Sequence, residues 1–136
     1  MDIHLARTLC TVLTMTAAAA WAAGPAQYGP TSSELAMLPP ACHARLSTGG
    51  GEAEAQRAMW SARLGPNNFL HLHHYCFGLN FMNRAQFAIN RNDRRGNLQA
   101  AIGEFDYVLT HWPADSPLRG DAQMRKDLAQ TQLRAP

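Results

Sequence analysis

Seven apolar residues, Leu98, Ala101, Ile102, Phe105, Val108, Leu109 and Trp112, recur at spacings of three, one, three, three, one and three. That is the period of a helix with one buried face, and a helix of this kind has to be covered by other elements. No alternating stretch in the chain demands a strand. The expected fold class is therefore all-α, four or five helices joined by short turns.

Helix boundaries follow from caps and breakers. Thr31-Ser32-Ser33-Glu34 caps a short turn of helix that Pro39-Pro40 stops, and Pro40 then opens a second short helix to Leu46 that carries Cys42. After the linker of residues 47–51, the good helix formers of Glu52 to Leu64 predict a third helix, with Ala55, Ala58, Met59 and Ala62 along one face. Gly65-Pro66 ends it, and Asn67 or Asn68 caps a central helix reaching Ile89 or Asn90. Asn92-Asp93 opens the striped helix and Pro113 closes it. Asp115 or Ser116 caps a last helix to about Leu133, thin in apolar residues beyond Leu118, Ala122, Met124, Leu128 and Leu133.

The N-terminus predicts export. A short basic region ends at Arg7, an uncharged run follows from Thr8, and Ala20-Trp21-Ala22 has the small-x-small form of a cleavage site. Residues 1–22 thus read as a signal peptide, 23–30 as a Gly- and Pro-rich lead-in and 31–136 as one helical domain, periplasmic or extracellular. Cleavage removes Cys10 and leaves Cys42 and Cys76, an even count that in an exported protein reads as one disulfide, with two separate thiols or ligands as the alternative. The formal charge of +2 is spread along the chain, which argues against nucleic acid and membrane surface as partners, and no later segment is apolar enough to span a bilayer.

The central stretch 68–84, NFLHLHHYCFGLNFMNR, is the densest in chemistry-bearing and large apolar side chains. Its His74-x2-Phe77-Gly78-x2-Phe81, followed by Ala101-x3-Phe105 and Pro113, resembles the tetratricopeptide pattern W-x2-L-G-x2-Y…A-x3-F…P. The second half matches closely; in the first, His74 replaces Trp, Phe77 replaces Leu and Phe81 replaces Tyr, and the span is about ten residues longer than a standard repeat. The resemblance covers residues 74–113, with Gly78, Phe81, Ala101, Phe105 and Pro113 as its signature positions. It implies a small right-handed array of helical hairpins that binds a protein or peptide, or assembles with copies of itself, without catalysis. One repeat cannot bury its own face, so the flanking helices and the disulfide must complete the core.

Two other chemistries are open to the same stretch. His71 and His74 are three residues apart and can share an ion, with His43 or His111 as a third ligand, which makes a small metal- or haem-binding protein the rival expectation. His73 with Cys76 is the competing pair, and a thiol enzyme on Cys76 is a third reading, closed if Cys76 is bridged. There is no C-x-x-C-H, H-E-x-x-H, phosphate loop or dinucleotide fingerprint, so no motif calls for a cofactor. Arg84, Arg91, Arg94 and Arg95 can hold an anionic partner, and Asn80 and Asn83 can bond a ligand backbone from the central helix. Asn80, Asn83, Arg84 and Arg91 are the candidate partner-binding residues.

Overall fold

The computed structural model describes residues 27–135; the expected signal, its cleavage site and Cys10 lie outside the described residues. Six helices follow one another: α1 (Ser32–Leu35), α2 (Pro40–Leu46), α3 (Glu52–Leu64), α4 (Pro66–Phe87), α5 (Arg91–His111) and α6 (Arg119–Arg134). No strand occurs among the described residues, so the all-α expectation holds. None of these helices is long and apolar enough to cross a membrane.

Helix α4 is the axis of the molecule. Leu72, Tyr75, Cys76, Gly78, Leu79, Asn80, Phe81, Met82 and Ala85 are all buried, and they point to every side of the helix rather than to one stripe. A helix buried all round must be surrounded, and α2, α3, α5 and α6 do this. The predicted α5 stripe supplies the opposite wall: Leu98, Ala101, Phe105, Val108 and Trp112 are buried, with Ile102 and Leu109 half-buried against the same core. Helices α4 and α5 run antiparallel and close together because Gly78 lacks a side chain. A Cβ there would stand 2.7 Å from Cε1 of Phe105, whose ring is itself fully buried. Cys42 on α2 is bonded to Cys76 on α4. The disulfide closes a separation of 34 residues, stabilising the fold by about 4 kcal/mol on the chain-entropy account.

Several boundaries and faces differ from expectation. Helix α3 turns Ala55, Ala58 and Met59 to solvent and packs with Leu64 and the half-buried Trp60 instead. The physical reason is area, since an indole and an isobutyl group bury far more apolar surface than a row of methyls. No asparagine caps α4: it starts at Pro66 straight from Gly65, whose φ of 90° makes the corner in one residue. The N-cap of α5 is Asn90 rather than Asn92, its side chain accepting from the Asp93 N–H at 2.8 Å. Helix α6 begins at Arg119, because residues 113–118 are spent on two successive turns, Ser116 N–H to Pro113 O and Arg119 N–H to Ser116 O, both 3.1 Å. Arg119 then caps the end of α5 by donating to the carbonyls of Leu109 and Trp112. On α6 the buried residues are Ala122 and Ala129, while Met124 and Leu128 face solvent.

Candidate functional site

The histidines of α4 meet the end of α5 in a continuous pile of rings. His73 lies 4.1 Å from His74, His74 stacks on Tyr107 at 3.6 Å, Tyr107 stacks on His111 at 3.9 Å, and His111 lies 4.9 Å from His71, all between ring centroids. Helical spacing builds this: Tyr107 and His111 are four apart on α5, and His71 and His74 are three apart on α4, so both helices turn the same edge outward. Arg45 of α2 closes one side, donating to the Phe69 and Leu70 carbonyls at 3.1 Å each and reaching His73 Nδ1 at 3.3 Å.

Crowded imidazoles disfavour one another's charge. Desolvation first, then His73, His71, His111 and Arg45, hold His74 down at about 4. Burial and the neighbouring cations lower His71 and His73 as well. Beneath His74 lies Glu104, its Oε2 2.7 Å from His74 Nδ1, and burial pushes this carboxyl up to about 7. Burial thus disfavours charge on both members of the pair, and a shared proton joins them at hydrogen-bond distance. The Tyr28 hydroxyl donates to the other oxygen, Oε1.

Tyr28 belongs to the lead-in, which the sequence presents as featureless. Residues 27–30 instead lie as a strap along α4 that bends at Tyr28 and Gly29. The Tyr28 ring meets the edges of Phe77 at 5.5 Å and Phe81 at 5.2 Å. Arg84 holds the strap's backbone, donating to the Gln27 carbonyl at 2.8 Å and the Gly29 carbonyl at 3.1 Å. The same guanidinium grips Glu34 of α1 through both carboxylate oxygens, at 2.6 and 2.9 Å, and holds its carboxyl down at about 2. Glu34 also completes a capping box with Thr31.

The predicted site residues distribute as follows. Gly78, Phe81, Ala101 and Phe105 are buried at the α4–α5 contact, and Pro113 stands two residues past the end of α5. His71 and His74 are separated by Tyr107 rather than facing a common point; His111 does come to His71, whereas His43 is turned to the Leu38 carbonyl at 3.0 Å. No three His, Cys, Asp or Glu side chains gather in a way that could hold a metal ion among the described residues. Cys76 is bridged, so it offers no thiolate. Asn80 is 1% exposed, and both polar atoms of its side chain lack a protein partner among the described residues. Asn83 is half-buried, Arg84 is committed to Glu34 and the strap, and Arg91 is exposed at the start of α5.

Tyr28 and Glu104 escaped sequence reasoning. Their partners lie 49 and 30 residues away in the chain, at Phe77 and His74, and no local pattern announces such pairings. No protein-family model, curated protein or solved structure matches this chain.

Proposed function

We propose that the chain is an exported, disulfide-stapled helical module of tetratricopeptide-like form, a small right-handed array of hairpins that binds an extended peptide on its α4–α5 face and catalyses nothing itself. The observation that carries the reading is the strap. A short non-helical segment anchored by one aromatic ring between Phe77 and Phe81, its carbonyls held by Arg84 and its hydroxyl by Glu104, makes the contacts by which a groove takes a peptide ligand. The close α4–α5 approach at Gly78 and Phe105 supports the repeat-like hairpin, and the Cys42–Cys76 bond supports an oxidising compartment, periplasmic or extracellular. The chain's own strap then occupies the seat until a partner segment of similar chemistry displaces it.

A labelled peptide of residues 27–35, followed by fluorescence polarisation, tests this. The Tyr28→Ala variant of the full chain is expected to bind the peptide at least about tenfold more tightly than the wild type, because its own anchor no longer competes. Arg84→Ala in the same background is expected to abolish binding. A Tyr28→Ala protein that melts cooperatively and takes up no peptide sinks the proposal.

A further inference from the structure

We propose that the cleft between the start of α5 and the end of α6 is a docking site for an acidic peptide segment of a partner protein. Arg91, Arg94 and Arg95 of α5 and Arg134 of α6 line an open cleft of about 440 Å³, with Leu98 and Leu133 also in its wall and no carboxylate among the lining residues.

The arginines of this chain divide cleanly. Arg45, Arg57, Arg84 and Arg119 hold backbone carbonyls, Arg125 pairs with Asp121, and Arg63 lies over the Trp60 ring. The four in the cleft are the only ones with no hydrogen bond, ion pair or ring partner among the described residues, and they all converge on one place.

Three of the four stand against the dipole of their own helix. Arg91, Arg94 and Arg95 lie in the first two turns of α5, where the free N–H groups already carry partial positive charge, whereas Arg134 lies in the last turn of α6, where free carbonyls suit a cation. All four carry like charge around one cleft. An oxyanion entering the cleft would be met by guanidinium forks able to bind it in bidentate fashion.

The surroundings decide between a bare ion and a peptide. The half-buried Leu133 gives the cleft a small apolar wall, and the end of α4 and the turn that leads into Arg91 present Phe87, 71% exposed, and a fully exposed Ile89. Arginine beside an exposed aromatic is the composition of a protein interface, and an inorganic anion has no use for the apolar part. The occupant that fits is a segment bearing carboxylates on either side of an apolar side chain. This surface shares no residue with the strap's seat, so each stands or falls alone.

Isothermal titration calorimetry on the full chain tests the assignment with a short peptide of alternating Glu and Leu, its Gln counterpart, inorganic phosphate and a single-stranded oligonucleotide. The acidic peptide is expected to bind and the Gln peptide not to. Arg94→Glu with Arg95→Glu should weaken binding at least about tenfold, and Ile89→Ser about threefold, with circular dichroism and melting unchanged. Absence of acidic-peptide binding, or equal binding to the charge-reversed variant, overturns the proposal. So does phosphate or the oligonucleotide binding as tightly as the acidic peptide.

Discussion

Two regions of the α4–α5 hairpin treat charge in opposite ways. Along α4, each of the charged groups packed beside it has been given an answer. Arg84 faces Glu34 and two carbonyls, Glu104 faces His74 and Tyr28, and Arg45 faces two carbonyls and an imidazole. Between the start of α5 and the end of α6, four guanidinium groups stand together unanswered by any described residue. The first arrangement is what a folding domain does with polar groups it half-buries, because leaving them unpaired costs more than pairing them gains. The second shows no such pairing among the described residues, and that contrast is what the proposed docking surface rests on.

Three measurements sharpen or break the contrast. The largest effect belongs to the answered end. Replacing both cysteines, Cys42→Ser with Cys76→Ser, is expected to lower unfolding free energy by about 4 kcal/mol, read from denaturant curves under non-reducing conditions. A loss below about 1 kcal/mol would show that the strap and helix packing alone hold α2 in place.

The next concerns the shared proton. Burial raises Glu104 to about 7 while desolvation and the neighbouring groups lower His74 to about 4, so between about pH 4.5 and 6.5 the two shifts oppose each other in the stability profile. Glu104→Gln removes the compensation. His74, depressed to about 4, then contributes stability that is full above its unfolded value of about 6.5 and lost as pH falls toward 4, a decline of about 2 kcal/mol. Melting temperatures measured across that range should slope in the variant and stay flat in the parent; a flat variant would mean the two groups do not share a proton.

The smallest effect tests the open end. Arg94→Glu with Arg95→Glu should leave stability unchanged or raise it by about 0.5 kcal/mol, since acidic groups suit a helix N-terminus. A drop of more than about 1 kcal/mol would make these arginines structural and erase the distinction.

How much of this could be read from residues alone depended on range and size. The α5 stripe was legible because its members are mostly large and regularly spaced, and the Cys42–Cys76 bond because the expected removal of a signal would leave those two cysteines to pair. The α3 face was misread because alanines fit a helical period while burying little, and Trp60 and Leu64 took the contact. Three of the four cleft arginines were visible as neighbours in sequence. Arg134, about forty residues on, joins them only through the antiparallel return of α6, and Arg84 is drawn away by Glu34. Tyr28 was hidden by its setting, since glycines and prolines suppress helices and strands but leave an irregular strap free to form.

The order in which the helices pack carries a consequence for assembly. Helix α5 lies against its chain neighbours α4 and α6, so most of the tertiary structure closes through the turns at residues 88–90 and 112–118. Topologies dominated by such local closures fold quickly, in microseconds to milliseconds. The Cys42–Cys76 link joins more distant segments, as the strap's contacts do, and it needs an oxidant, which acts in seconds to hours. The packing of α4, α5 and α6 is therefore expected to precede oxidation and to present Cys76 to Cys42, so that the disulfide secures a fold already chosen.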